Sequence, residues 1–117
     1  MPYDEFLADR LEQILTQKKV NALPKKMFGG IAFMVKDKMS VGVVSDRVSK
    51  EPTLMVRVGK ERYSDALKMT GAREMDFTGK PMAGYVFVSP DGFDLDQDLE
   101  KWVDLALAFN AELTKKG

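Results

Sequence analysis

The stretch Ile31-Ala32-Phe33-Met34-Val35-Lys36-Asp37-Lys38-Met39-Ser40-Val41-Gly42-Val43-Val44 decides the fold class. Two apolar runs rich in valine flank three polar residues, which predicts a tight antiparallel hairpin. After a polar loop from Ser45 to Pro52, Leu54-Met55-Val56-Arg57-Val58 reads as a third strand. Two shorter strands are expected around Arg73 to Phe77 and Tyr85 to Val88, with Gly79-Lys80-Pro81 turning the chain between them.

Working outward, the apolar period changes from two to nearly four. Phe6, Leu7, Leu11, Ile14 and Leu15 fall on one face of a helix from about Asp4 to Lys19. Asp4 is its expected cap, Lys18 and Lys19 suit its negative end, and Asn21 and Pro24 stop it. Lys60 to Met69 reads as a short helix closed by Gly71, with Tyr63, Ala66 and Leu67 facing inward. Ser89-Pro90-Asp91-Gly92 is a turn. A last helix, from about Asp96 to Lys115, is expected to bury Leu99, Trp102, Val103, Ala106, Phe109 and Leu113.

The order is therefore α-β-β-β-α-β-β-α. Short connections predict a two-layer α+β fold with a mainly antiparallel five-stranded sheet, in a single domain spanning residues 1–117. Leu11, Ile14, Phe33, Val41, Val56, Tyr85, Trp102 and Phe109 are the expected core. Both strand alternations are apolar, as with Tyr85 and Phe87 against Val86 and Val88. A sheet with one wet face alternates more cleanly. Either helices cover both faces, or one face meets a partner.

Composition narrows the chemistry. The 117 residues carry 18 basic and 18 acidic side chains, with no cysteine and no histidine. Disulfides, thiolate metal sites and thiol catalysis are excluded, together with the commonest general base and metal ligand. A net charge of zero offers no long-range attraction to polyanions. The start Met1-Pro2-Tyr3-Asp4-Glu5 is acidic, unlike a secretory signal, and apolar runs such as Ile31 to Val35 are too short to cross a bilayer. A cytoplasmic location and no membrane contact are expected.

Each conspicuous motif has a plain structural reading. Gly29-Gly30 after Met27-Phe28 lacks the remaining residues of a phosphate loop and precedes a strand, which suits a close backbone approach. Asp94, Asp96 and Asp98 imitate the start of a calcium loop, but Leu99 and Leu105 stand where glycine and glutamate are required, so helix capping accounts for them. The methionines at 27, 34, 39, 55, 69, 75 and 82 suit irregular core filling or an adaptable surface. Arg57 and Arg73, inside or beside apolar strands, are either anion clamps or partners of Glu74 and Asp76. Ser40, Ser45 and Ser64 have no Ser-x-x-Lys or GxSxG context.

Taken together, Lys25-Lys26-Met27-Phe28-Gly29-Gly30-Ile31-Ala32-Phe33-Met34, Lys38-Met39, Leu54-Met55-Val56-Arg57-Val58-Gly59, Gly71 to Met82 and Trp102-Val103-Asp104-Leu105-Ala106 resemble the TfoX amino-terminal domain family, in its group of stand-alone small proteins. The resemblance covers nearly the whole chain and implies a two-layer α/β fold with an antiparallel sheet. In longer relatives it implies a second, helical domain, and the pair regulates natural competence genes. That second domain is absent from this sequence, so the regulatory activity does not transfer whole. Ser40 stands where close relatives often carry cysteine, and the Ser45 to Pro52 loop is longer than usual. The resemblance names no catalytic residue and no cofactor.

The expectation is a non-enzymatic, cytoplasmic, regulatory interaction module whose partner is another protein or a second copy of itself. An alternative is a small-molecule or anion-binding protein, or an unrecognised enzyme, with a site near the Gly29-Gly30 turn, the candidate ligand- or partner-binding residues being Lys26, Phe28, Gly29, Gly30, Arg57 and Arg73. A further alternative is a transcriptional regulator touching nucleic acid through Lys18, Lys19, Lys25 and Lys26, although neutral charge makes nucleic acid the weaker partner.

Overall fold

In a computed structural model, the described residues are 4–27, 29–45, 50–75 and 83–115. Helix α1 (Glu5–Gln17) is followed by strands β1 (Ala22–Met27), β2 (Gly30–Val35), β3 (Lys38–Ser45) and β4 (Pro52–Arg57). Then come helix α2 (Lys60–Leu67), strands β5 (Ala72–Glu74) and β6 (Tyr85–Val88), a 3₁₀ turn at Pro90–Gly92, and helix α3 (Asp96–Lys115). The expected turn at Gly79-Lys80-Pro81 lies outside the described residues.

The chain folds as the α+β class predicted, but the described sheet has six strands in the order β1-β2-β3-β4-β6-β5, not five, and every pair is antiparallel. The additional strand is β1. Pro24, expected only to stop the first helix, lies within it and opposite Phe33. Proline lacks an N–H donor, and an edge strand is where that loss is tolerated, because one side of it has no ladder to complete. Lys25 and Lys26 on the same strand are exposed, and charge on an edge discourages pairing with another chain.

The predicted hairpin is present. Val35 pairs with Lys38, leaving a two-residue turn in which Lys36 and Asp37 both have positive φ, 53° and 67°. Those signs belong to a type I′ turn, whose twist matches the strands it joins. One irregularity follows, between Phe33 and Met34, where the register shifts and Ser40 is passed over in the pairing.

All three helices pack on the same face of the sheet. Leu7, Leu11 and Leu15 of α1, Ala66 of α2, and Leu99, Trp102, Val103 and Ala106 of α3 meet Phe33, Val41, Val43, Leu54, Val56, Val86 and Val88. Trp102 is fully buried and donates from Nε1 to the Gly92 carbonyl at 3.1 Å. Asn110, also buried, donates to the Val35 carbonyl at 3.0 Å. Asp4 caps α1 as expected, its carboxylate accepting from the Phe6 and Leu7 N–H groups.

Several expected core residues sit nearer the surface. Ile14, Tyr85, Phe109 and Leu113 are half-buried, and Phe6 is 73% exposed. Periodicity assigns a side chain to a face but not to a depth, and these residues lie towards the margins of the packed layers. The opposite sheet face is not an open apolar surface. Ala32, Val44, Met55, Met75 and Phe87 form a second buried cluster, with Met34, Met39 and Tyr85 half-buried around it. The core-filling role of the methionines is thereby met at Met55 and Met75. The described part of that face supplies no exposed methionine and aromatic surface for a partner.

Candidate functional site

The six residues singled out from sequence do not converge. Gly29, with φ 75°, turns the chain between β1 and β2, and Lys26 is exposed on the edge strand beside it. Phe28 lies outside the described residues. Gly30 is buried, and a methyl group there would fall 2.0 Å from the Val43 carbonyl oxygen and 2.9 Å from Val44 Cγ1. The close-approach reading therefore holds, and no cradle opens at this turn. Val43 and Val44 pair with Leu54 and Thr53 at the start of β4, whereas Arg57 lies at its other end. Arg73 is on β5, the edge opposite β1, with its guanidinium 5.3 Å from the Phe87 ring centre. Lys26 on β1 lies at the opposite edge of the sheet from Arg73 on β5, while Arg57 and Arg73 are two strands apart, opposite Tyr85 and Phe87 of the intervening β6, so the Gly29-Gly30 turn has only Lys26 of these three cations beside it.

The structure gathers chemistry instead around Arg57. A cleft of about 640 Å³ opens where β4 ends, α2 begins and the last turns of α3 pass. Its apolar walls are Val58, Ala83, Tyr85, Phe109 and Leu113. Local sequence builds it in a simple way. Gly59, at φ 86° and ψ 160°, takes a backbone conformation open to glycine alone and so turns the chain from strand to helix in one residue. Its lack of a side chain admits Phe109, since a methyl group there would lie 2.3 Å from the ring. The Val58 and Gly59 N–H groups both donate to the Gly84 carbonyl, at 2.8 and 3.0 Å, which closes the floor.

Arg57 differs from other arginines of the chain. Arg10 donates to the carbonyls of Phe93 and Asp94 and pairs with Asp96 at 3.0 Å, fastening α1 to the start of α3. Arg62, on the cleft wall, is paired with Glu112. Arg57 has no carboxylate or carbonyl acceptor among the described residues; its guanidinium lies 5.3 Å from the ring centres of both Tyr85 and Phe109. Contacts of that kind use the flat faces of the guanidinium and leave its N–H edges available.

The charges lining the cleft are Arg57, Lys60 and Arg62 against Glu61 and Glu112, one positive charge in surplus. The Arg62 guanidinium holds the Glu112 carboxyl below its usual range, so this acid is ionised and neutralised by its neighbour at ordinary pH. Helix α2 begins without a side-chain cap, and its first N–H groups add a weak positive field at the same rim.

Elsewhere, a lysine, a phenol and a hydroxyl that could serve acid–base or nucleophilic chemistry are either ion-paired or buried. Glu100 and Asp104 hold Lys18 as a cation, at 2.8 and 2.9 Å, and raise its pKa. Burial, and after it the Glu74 carboxylate, pushes the Tyr63 phenol up. Ser40 is buried with an Oγ that has no hydrogen-bond partner among the described residues, out of reach of any substrate. Asp96 accepts from Arg10 rather than joining Asp94 and Asp98 around a metal, and no cluster of carboxylates among the described residues has metal-binding form.

The sequence model of the TfoX N-terminal domain matches residues 15–110, which span most of the sheet, the Gly29-Gly30 turn and much of α3. The chain belongs to the TfoX N-terminal domain family. None of the curated proteins compared with it matches. The matched segment of this TfoX N-terminal domain includes Arg57, Gly59, Gly84, Tyr85 and Phe109, so the cleft is made almost wholly of family-domain residues, with Glu112 and Leu113 just beyond. Among the described residues no helix is long and apolar enough to cross a membrane.

Sequence reasoning singled out Arg57 but missed the rest of the cleft. Gly59 was read only as the end of a strand, and Tyr85 and Phe109 as core. Nothing in local spacing links residues 57–62, 83–85 and 109–113. One signal was available: a glycine between a strand and a helix, where serine, threonine or aspartate is the usual cap, marks a place that needs an unusual backbone or a close approach.

Proposed function

We propose that the chain is a non-catalytic regulatory module of the cytoplasm, acting by binding at the Arg57 cleft and passing the state of that cleft to a protein partner. The observation that carries this reading is the cleft itself: apolar walls, one guanidinium without an acceptor among the described residues, and no nucleophile beside a base in its described lining. Concave, mainly apolar sites with few polar groups are built for binding. Acid–base or covalent catalysis needs a nucleophile within reach of a base, and the ion-paired state of Lys18 and the burial of the Tyr63 and Ser40 hydroxyls speak against one. Membership of the TfoX N-terminal domain family supports the regulatory part, since the longer members it resembles regulate competence genes. Contact with nucleic acid is less well supported. Lys18 is committed to Glu100 and Asp104, which leaves the exposed Lys25 and Lys26 of β1 without it as a phosphate-binding patch.

The test uses purified wild type, Arg57→Leu and Lys26→Ala as baits for protein partners, followed by light scattering of the complexes. A partner retained by wild type and Lys26→Ala, and lost by Arg57→Leu with an unchanged melting curve, is the expected result. A partner lost with Lys26→Ala and kept with Arg57→Leu would move the site to the other end of the sheet.

A further inference from the structure

The cleft has a specific electrostatic character that limits what it can hold. Arg57 is half-buried, flanked by two rings and without an acceptor among the described residues, while the neighbouring Arg62 and Glu112 satisfy each other. A guanidinium in this setting can donate two parallel hydrogen bonds to one planar anion. Only one positive charge is in surplus along the lining, and Glu61 and Glu112 stand on the same rim. A phosphate monoester, with nearly two negative charges and three acceptor oxygens, would meet too few donors and two carboxylates. A monocarboxylate matches both the fork and the charge.

The rest of the cleft sets the body that carries the carboxylate. Val58, Tyr85, Phe109 and Leu113 form an apolar enclosure of about 640 Å³, within the roughly 300–1,000 Å³ typical of small-molecule sites. An extended peptide fits less well. Peptides that add to a sheet need free backbone groups, and the Val58 and Gly59 N–H groups at the floor are already donating to the Gly84 carbonyl. We propose that the cleft is a site for a small organic monocarboxylate with an apolar or aromatic body, its carboxylate held by the edge of Arg57 and its body set against Phe109 and Leu113. The module would then respond to a small acid. This inference rests on the reading of the cleft as the binding site and adds the chemistry of its ligand.

The experiment is a set of titrations followed by calorimetry and amide NMR. The probes are 4-phenylbutyrate, the uncharged 4-phenylbutanamide, inorganic phosphate, and an acetylated tripeptide ending in phenylalanine with a free carboxyl group. A charge-assisted pair predicts that phenylbutyrate binds about tenfold or more tightly than the amide. In Arg57→Gln that advantage should fall below about threefold, and Arg57→Lys should restore part of it, since charge returns without the planar fork. Should Arg57→Gln fail to fold, the ratio of butyrate to amide in wild type and Arg57→Lys still decides the matter. Equal binding of acid and amide would overturn the carboxylate assignment while leaving the cleft as a binding site. No shift at Gly59 or Gly84 with any probe would overturn both. Tighter binding of phosphate, or of the tripeptide, would overturn the small monocarboxylate in favour of another anion or a chain end.

Discussion

Two of the glycine-marked turns, at Gly29-Gly30 and at Gly59, lie at opposite ends of the strands and are built for opposite purposes. At one end Gly30 is pressed against the Val43 carbonyl, with no room for a single methyl group. At the other, Gly59 also excludes a side chain, but what occupies the freed space is the edge of Phe109, and a cleft remains beside it. The first glycine closes a gap between two strands; the second opens one between a strand and two helices. A glycine that looks functional in sequence is thus placed by its surroundings, since both motifs read alike until the neighbours are known. The same holds for cations. Lys26 beside the first turn is exposed, whereas Arg57 beside the second is held between aromatic side chains and apolar walls.

The contrast is sharpest in Gly30→Ala. The added methyl meets backbone, which cannot swing away, so β2 and β3 must part; a loss of about 3 kcal/mol in chemical denaturation is expected. Little or no loss would mean that the hairpin end is loosely packed and that the comparison fails at its first step. Gly59→Ala comes next. It meets both an unfavourable backbone conformation and the Phe109 ring, and about 2 kcal/mol should be lost together with access to the cleft. At Gly29 a side chain would have open space and only the positive φ to contend with, so Gly29→Ala should cost about 1 kcal/mol and leave the cleft untouched. Two adjacent glycines differing by this much would show that packing, rather than the turn, dominates at Gly30.

The cleft end should respond differently, in binding rather than stability. Arg57→Leu removes two ring contacts and no hydrogen bond to a described residue, so the change in stability should stay within about 1 kcal/mol. A much larger loss would make Arg57 a structural residue. The smallest effect is electrostatic. Because Arg62 depresses the Glu112 pKa in the folded state, the pair contributes stability at pH values above the ordinary carboxylate range and loses it as the pH falls through the folded value. The melting difference between wild type and Glu112→Gln should be small at pH 7 and shrink below about pH 4.5. A difference that grows on acidification would contradict the pairing.

How far the sequence could be read follows the same division. Elements set by local pattern were legible: the three helices from their apolar spacing, the Lys36-Asp37 turn from polar residues between two valine-rich runs, and the Asp4 cap. Strand β1 was not, because Pro24 and two lysines look like loop unless the chain is known to run along an edge. The depth of Tyr85 and Phe109 was not legible either. Both obey the period of a core face, and only their place at the margin turns them into cleft walls. Arg57 could be noticed as a charge in an apolar strand, but beyond its own segment its companions come from two distant ones, 83–85 and 109–113, that no spacing connects. Close packing was legible at Gly30, whereas Gly29 stands in open space, and of the cations expected beside this turn Arg57 and Arg73 lie elsewhere on the sheet.

Whether binding belongs to the Arg57 end of the sheet is tested most directly by a map of amide shifts. Adding 4-phenylbutyrate to labelled wild-type protein should move the amide signals of Gly59, Lys60 and Gly84 in a saturable way, while those of Lys26, Gly29 and Gly30 stay still. Shifts centred on Gly29 and Gly30, with Gly59 and Gly84 unmoved, would contradict that placement.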